Sequence, residues 1–279
     1  MIPKPWYHTW VKPKPRGKKS LGQHFLANAG YCQKIAHFAQ IRPEDTVVEI
    51  GPGTGQLTQV LLPLAQKVIA VEFDRDLVEY LKQHYLQEHL AAKHLDIVHA
   101  DILSFSWPIP GKHRFKVIGN LPYNIATRIM QHMIQIKDRF QSGTFLLQKE
   151  VAQRILSAVN SKDYGYFTLL MEYHFERIAG FDVPPGVFIP PPKVTSQVIQ
   201  LKPRQPPYPV PDESAFRTLL KNAFQQRRKT LWNNLKAGRD PQELGSAFES
   251  CSIPAQIRPE EVTLEQYACL GRMLQLPPS

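Results

Sequence analysis

Short apolar runs alternate with segments of helical periodicity through the first two thirds of the chain. The runs predict buried strands at residues 46–50, 67–73, 95–100, 115–118 and 144–147. The segment after the first run repeats apolar residues at the spacing of one helix face, at Leu57, Val60, Leu61 and Leu64. Strands that alternate with helices are typical of an α/β protein with a doubly wound, mostly parallel sheet. Two later runs, at 173–178 and 196–202, predict an antiparallel edge to that sheet.

The pattern changes at a proline-rich stretch, after which every periodic segment is helical. The first of these segments has its apolar stripe at Phe216, Leu219, Leu220, Ala223 and Phe224. Asp212, Asp240 and Thr263 stand where helix N-caps are expected, and a further short helix is expected from Arg228. We therefore predict a basic arm at 1–19, an α/β domain at 20–203, a stiff linker at 204–211 and a small helical domain at 212–279.

Composition adds a preference for an anionic partner. Lys and Arg number 34 against 24 Asp and Glu, which gives a net charge of +10. Nucleic acid is favoured over a membrane surface, because no long basic amphipathic helix and no run of 18 apolar residues is present. The arm at 1–19 is rich in proline and cations and is expected to be mostly flexible, with no signal peptide.

The cysteines point to a reducing compartment. Cys32, Cys251 and Cys269 are odd in number, far apart and contain no CxxC pair. We expect them to be reduced thiols in a cytoplasmic protein, with neither a disulfide framework nor a metal site.

A glycine-rich turn follows the first predicted strand, in Glu-Ile-Gly-Pro-Gly-Thr-Gly-Gln at 49–56. Such a turn lets a ligand approach the backbone closely, although it also occurs as a purely structural turn. An NAD dehydrogenase needs G-x-G-x-x-G, but here the third glycine comes one residue early and Gln56 stands in its place. This spacing counts against NAD and suits a ligand without a pyrophosphate, such as S-adenosylmethionine.

Two acids end the next predicted strands. Glu72 follows Gly51 by 21 positions, where a carboxylate can accept from both ribose hydroxyls of an adenosyl group, and Asp101 can accept from an adenine amine. Each acid alone is more often a solvated loop residue. Their placement at successive strand ends, where open α/β sheets bind ligands, favours a binding role.

The fourth strand ends in Asn120-Leu121-Pro122-Tyr123, a stiff turn that carries an amide, backbone carbonyls and an aromatic ring. These groups suit a planar, hydrogen-bonding object such as a nucleobase. The alternative is an ordinary strand-to-helix turn whose tyrosine packs on the core.

Several of these stretches together resemble the rRNA adenine N6-dimethyltransferase family. The resemblance runs from Lys18 to the C-terminus and is carried by the motifs at 21–26, 49–55, 120–123, 188–196 and 224–231. It is closer to the enzymes that modify 16S rRNA of the small subunit than to the resistance methylases that act on 23S rRNA. Leu121 and the Arg-Arg-Lys-Thr-Leu run at 227–231 carry that preference.

The resemblance implies a methyltransferase fold that binds S-adenosylmethionine, with no metal. The residues it assigns to the cofactor are His24, Leu26, Gly51, Glu72, Asp101, Ile102 and Asn120. His24 is a departure, since the family commonly has Asn there. If the family contact is made through the backbone, the change has no consequence; if it is made through the amide, it affects cofactor affinity.

The chemistry of the transfer can be argued physically, and the resemblance adds Phe188 as the second stacking ring. The Asn120 amide oxygen and the Leu121 carbonyl would accept the two N6 hydrogens of adenine, while Tyr123 and Phe188 stack on the base. For Phe188 the alternative is a core residue beside a proline-rich turn. In the helical domain, which is implied to bind rRNA, Arg227, Arg228 and Lys229 would contact phosphates together with Lys193, although such runs are often only solvated surface.

The implied substrate is 16S rRNA in the small ribosomal subunit or its precursor. A monomeric enzyme would dimethylate two adjacent adenosines in the 3′-terminal hairpin loop. The alternatives are the same chemistry on 23S rRNA, a ribosome-assembly factor for which methylation is incidental, and the disfavoured NAD dehydrogenase.

Overall fold

The computed structural model describes residue 18 and residues 22–84, 94–107 and 114–274. The predicted arm at 1–19 lies outside the described residues apart from Lys18. The strands are β1 (Phe25–Leu26), β2 (Thr46–Ile50), β3 (Lys67–Glu72), β4 (Leu95–His99), β5 (Phe115–Asn120), β6 (Phe140–Gln148), β7 (Phe175–Val183), β8 (Phe188–Ile189) and β9 (Ser196–Pro203). The α-helices are α1 (Ala29–Phe38), α2 (Gln56–Leu61), α3 (Arg75–His84), α4 (Ala126–Gln135), α5 (Lys149–Leu156), α6 (Tyr166–His174), α7 (Glu213–Ala223), α8 (Leu231–Leu235), α9 (Pro241–Ser250) and α10 (Leu264–Met273).

Seven strands form the main sheet, in the order β4–β3–β2–β5–β6–β9–β7. The five strands from β2 to β6 are parallel, β9 runs antiparallel to β6, and β7 runs antiparallel to β9. The central strands are apolar and buried on both faces, as parallel strands covered by helices must be. The predicted α/β fold with a mostly parallel sheet and an antiparallel edge is confirmed.

Several boundaries differ from the predicted ones; the strand expected at 144–147, for example, spans 140–148. The strand expected from residue 173 begins at Phe175, because Tyr173 belongs to α6 and its ring packs 5.1 Å from that of Phe216. The helix expected from Arg228 begins at Leu231, where Thr230 is the N-cap and its hydroxyl accepts from the Asn233 N–H. Tertiary packing and capping, rather than apolar periodicity, decide these ends.

A second, two-stranded sheet joins β1 to β8 in antiparallel register. Leu26 pairs with Phe188 and both are buried, whereas Phe25 pairs with Ile189, which is 63% exposed. Strands of two residues carry no periodicity, so this sheet was not predicted. It attaches the segment before α1 to the loop before β9.

The C-terminal helices share their core with the α/β part of the chain. Tyr164 and Tyr173, which precede β7, pack among the buried side chains of α7 and α10. The Tyr164 hydroxyl donates to the Val262 carbonyl at 3.0 Å. None of the described helices is both long and apolar enough to span a membrane.

The expectation of three reduced cysteines is wrong for two of them. Cys251 at the end of α9 and Cys269 within α10 form a disulfide, with 5.7 Å between their Cα atoms. The packing of α9 on α10 brings together residues that lie 18 positions apart, which spacing along the chain could not reveal. Cys32 is a buried free thiol. The cysteine pattern therefore no longer supports a reducing compartment.

A buried ion pair fixes the strand that ends at Asn120. The Lys116 Nζ of β5 lies 2.8 Å from the Asp45 carboxylate, and the side chains are only 6% and 9% exposed. The same ammonium donates to the Gln40 carbonyl. Removing one partner of such a pair leaves an uncompensated buried charge.

We therefore expect Lys116→Met to lower the free energy of unfolding by about 3–5 kcal/mol in urea titrations. Lys67→Met is the matched control, because its ion pair with Asp96 is 37% and 47% exposed and should cost at most about 1 kcal/mol. Equal losses in the two variants would contradict a structural role for the buried pair.

Candidate active site

The carboxyl ends of β2 to β5 meet at a cleft of about 210 Å³. Parallel strands place these ends at one edge of a sheet, where α/β proteins bind ligands. Eight of the residues predicted for the site line the cleft: His24, Gly51, Glu72, Asp101, Ile102, Asn120, Leu121 and Tyr123.

The glycine-rich turn forms the floor of the cleft. Gly53 has φ +60°, and a Cβ at this position would lie 2.8 Å from Cδ1 of Phe25. A side chain there would meet both backbone strain and a steric clash, so the position requires glycine. The Gly53 N–H donates to Glu72 Oε2 at 3.1 Å, which ties the turn to the end of β3.

Glu72 presents a preorganised acceptor. Its Oε1 accepts from the Asp74 N–H at 2.9 Å, and its Oε2 accepts from Gly53. Burial raises the pKa of Glu72, and these backbone hydrogen bonds oppose that shift by favouring the ionised form. Each carboxylate oxygen has a further lone pair, so the group can accept from two neighbouring hydroxyls.

The segment before β1 is held against the β3–α3 turn. The Lys18 ammonium lies 2.8 Å from the Asp74 carboxylate and 2.7 Å from that of Asp76. The Gln23 amide donates to Asp74 at 3.1 Å. Burial alone would raise the pKa of Asp74, but the hydrogen bonds from Lys18 and Gln23 outweigh it and lower the pKa. The segment thereby forms one wall of the cleft.

Asp101 and two apolar side chains line the far side. Asp101 Oδ1 accepts from the Leu103 N–H at 2.9 Å, which orients the carboxylate, and Ile102 is buried beside it. Phe73 also lines the cleft although it is 58% exposed. From the sequence, Phe73 was predicted only as the last residue of a strand, without a role in the site. Its position directly after Glu72 was the signal that could have indicated such a role. Together these groups suit a flat heterocycle with an exocyclic amine.

Asn120 has a defined amide orientation. Its Nδ2 donates to the backbone carbonyl of His24 at 2.8 Å. A carbonyl accepts only, so the NH₂ group must face His24 and the Oδ1 atom is the acceptor that the side chain can offer a ligand. The next residue is anchored as well, because the Leu121 N–H donates to the Leu146 carbonyl at 3.1 Å.

Tyr123 is held at its hydroxyl and on its ring. The hydroxyl lies 2.7 Å from Ser196 Oγ, at the start of β9, and the ring centroid lies 5.3 Å from that of His24. Burial raises the pKa of Tyr123, so the phenol is neutral at physiological pH. The cleft thus combines an oriented amide acceptor and a positioned aromatic ring.

Two of the residues predicted for catalysis or cofactor binding do not line this cleft. Phe188 is 2% exposed and packs with Leu26, which is 5% exposed, in the core beneath the small sheet. The ring of Phe188 can meet a base only after it moves, so its stacking role stays a prediction, as does the contact of Leu26 with the cofactor. The described residues contain no group of three or more metal-ligating side chains.

Comparison with known proteins decides the family. The model of a family described as ribosomal RNA adenine dimethylase matches residues 15–273. The chain belongs to this family. A protein named ribosomal RNA small subunit methyltransferase A from Geobacter metallireducens is 38% identical over 263 residues, which cover 93% of this chain and 96% of the relative. The protein of the same name from Francisella tularensis is 37% identical over 261 residues, or 94% of this chain and 98% of the relative.

Solved structures agree in fold. A dimethyladenosine transferase from Plasmodium falciparum has a TM-score of 0.75 and 26% identity, covering 88% of this chain and 96% of its own. The 23S rRNA methyltransferase ErmE has a TM-score of 0.68 at 24% identity, covering 90% of this chain and 99% of its own, which shows a shared fold alone. The family membership confirms the predicted resemblance and leaves no ground for an NAD dehydrogenase.

The cations predicted to bind RNA lie on two separate loops. Arg227, Arg228 and Lys229 are exposed in the turn between α7 and α8, and Lys193 is exposed in the loop between β8 and β9. The Arg227 guanidinium donates to the Lys162 carbonyl, so it also joins the helical part to the α/β part. The structure brings none of these cations into the cleft, and their RNA contacts stay a prediction.

Glu49 lies under the glycine-rich turn and has no part in lining the cleft. It is 1% exposed, and its Oε2 accepts from the Thr58 hydroxyl at 2.6 Å. Burial is the main cause that raises its pKa from the ordinary 4.5 to about 8. The folded protein therefore keeps a proton on Glu49 at neutral pH.

This proton makes stability depend on pH. In the unfolded chain Glu49 loses its proton near pH 4.5 and in the folded chain near pH 8, so stability falls as the pH rises through this window. We expect Glu49→Gln, which can still accept from Thr58, to match the wild type in melting temperature at pH 5 and to exceed it by at least about 2 °C at pH 8.5. Exposed Glu44→Gln is the control, and a difference that does not grow with pH would contradict this prediction.

Proposed function

We propose that this protein transfers methyl groups from S-adenosylmethionine to N6 of two adjacent adenosines in the 3′-terminal hairpin loop of 16S rRNA. The products are N6,N6-dimethyladenosines, made by four transfers with four cofactor molecules during small-subunit biogenesis. The observation that carries this proposal is the orientation of the Asn120 amide, whose Nδ2 is bound to the His24 carbonyl at 2.8 Å.

The described residues fit the adenosyl cofactor. The Glu72 carboxylate is oriented by Gly53 and Asp74 to accept from ribose hydroxyls. The Asp101 carboxylate would accept from the adenine amine, beside the apolar surfaces of Ile102 and Phe73. When bound, S-adenosylmethionine supplies a methyl group on a sulfonium, which is already an activated electrophile.

The residues at the end of β5 would prepare the nucleophile. The N6 amine of adenine is a poor nucleophile, because its lone pair is delocalised into the ring. Asn120 Oδ1 and the Leu121 carbonyl would accept its hydrogens, which would localise the lone pair on N6. As N6 bonds to the methyl carbon, the bond from that carbon to sulfur would break and one N6 proton would pass to solvent. Tyr123 stacks on the base and offsets part of the few kcal/mol that extraction from the RNA stack costs.

The small-subunit target is supported by the relatives, which carry the small-subunit name at 37–38% identity over nearly their whole length. The exposed cations of the α7–α8 turn and Lys193 would bind the phosphates of the rRNA. Such a protein would act on ribosomal subunits in the cytoplasm, and we propose that it does so as a monomer.

The decisive experiment is methylation of undermethylated small subunits with labelled cofactor, followed by mass analysis of adenine N6. We expect label in the wild type and a loss of methyl transfer of at least about 100-fold in Asn120→Ala and in Asn120→Asp. The aspartate would place a carboxylate oxygen, which can only accept, against the His24 carbonyl. Both variants should still bind the subunits, because the cations are unchanged. A wild-type protein that labels only the large subunit, or neither subunit, would overturn the proposal.

The role of the turn can be tested by salt dependence. We expect the double variant Arg228→Ala with Lys229→Ala to bind the subunits more weakly. The slope of the logarithm of the binding constant against the logarithm of the salt concentration should fall in magnitude by about one to two units. Lys82→Ala, an exposed cation on α3, is the control. An unchanged slope in the double variant would show that the turn does not bind phosphate.

A further inference from the structure

We propose that the side chain of His24 is a positioning residue of the target-adenine pocket. This inference rests on the proposed methyl transfer to adenine and goes beyond the assignment of His24 to cofactor binding.

The His24 side chain contacts two loops that lie far apart in the sequence. Its Nδ1 lies 2.8 Å from the Pro190 carbonyl, in the loop between β8 and β9. Its ring centroid lies 5.3 Å from that of Tyr123, with 30° between the planes. The backbone carbonyl of the same residue accepts from Asn120. His24 therefore connects the β8–β9 loop to the turn that carries Asn120 and Tyr123.

The chemistry of the Pro190 contact fixes the imidazole. A carbonyl oxygen accepts only, so Nδ1 must carry a hydrogen in both the neutral and the charged form of His24. The contact with Pro190 thus persists whichever form is present. It holds the imidazole in one orientation beside the Tyr123 ring, whose hydroxyl is bound to Ser196.

The consequence is a fixed stacking surface for the base. Tyr123 has one end anchored by Ser196 and a neighbouring ring in His24, so little of its conformational freedom is left to lose when a base arrives. The contact of His24 with the catalytic amide is made by its backbone carbonyl, which every variant of the side chain keeps. Changing the side chain should therefore alter turnover of RNA and leave cofactor affinity as it is.

The experiment uses three variants of the full chain that remove different parts of the connection. His24→Ala removes both contacts, His24→Phe keeps a ring without the donor, and His24→Asn keeps a donor without the imidazole. His94→Ala is the matched control, because His94 Nδ1 also meets a backbone carbonyl, that of Gln66 at 2.9 Å, at the opposite edge of the sheet. Cofactor affinity by calorimetry, and kcat and KM for RNA, are measured for each.

We expect kcat/KM for RNA to fall about 10-fold in His24→Ala and about 3-fold in each single-contact variant, with the dissociation constant of S-adenosylmethionine within about twofold of the wild type. In a double-mutant cycle, the loss of kcat/KM in the double variant His24→Ala with Tyr123→Leu should be smaller than the product of the two single-variant losses. We expect the difference to be more than about threefold. A purely structural role far from the ring would give independent losses.

Three results would overturn the inference while leaving the proposed function intact. They are a His24→Ala enzyme as active as His94→Ala, a loss that appears in cofactor affinity instead of RNA turnover, and independent losses in the cycle with Tyr123. If the wild type methylates no rRNA adenine, the proposed function itself fails, so the two failures are distinguishable.

Discussion

The arrangement of the cleft depends on the hydrogen bond from Asn120 Nδ2 to the His24 carbonyl, 2.8 Å long. It joins the end of β5 to the segment before β1 and decides which atom of the amide faces the ligand. The same segment reaches the β3–α3 turn through Gln23, which donates to Asp74. The segment at 23–24 therefore fixes the end of β3 relative to the end of β5. Glu72, at the end of β3, is the ribose acceptor, and Asn120, at the end of β5, is the base acceptor.

Much of this cleft could be predicted from sequence, because its parts follow local rules. Glu72, Asp101 and Asn120 each end an apolar run, and a parallel sheet gathers such ends at one edge. The early third glycine distinguished the glycine-rich turn from a dinucleotide site, and the family membership agrees with that interpretation. Spacing, strand ends and turn chemistry are properties of neighbouring residues, which is why one sequence sufficed for them.

The parts that could not be predicted depend on contacts between distant residues. Leu26 and Phe188 lie far apart in sequence, yet their pairing in the small sheet buries both side chains and turns Phe25 and Ile189 to the other side. The burial of Phe188 follows from this register, which the sequence does not reveal, and its stacking on a base stays a prediction. The disulfide of Cys251 has the same origin, since only the packing of α9 on α10 brings Cys269 within reach.

The cations of the α7–α8 turn serve packing in one case and are available to an anion in the others. Arg227 donates to the Lys162 carbonyl in the α/β part, and the Asn234 amide donates to the Gln226 carbonyl, so the turn is fixed from both sides. An anion bound by Arg228 or Lys229 would therefore meet a surface already oriented with respect to the sheet. Replacing Arg227 would change the charge of the turn and would also remove the hydrogen bond to the Lys162 carbonyl. Replacing Arg228 or Lys229 would change the charge and leave that hydrogen bond in place. Arg228 and Lys229 are thus the positions at which phosphate binding can be separated from the packing of the helices.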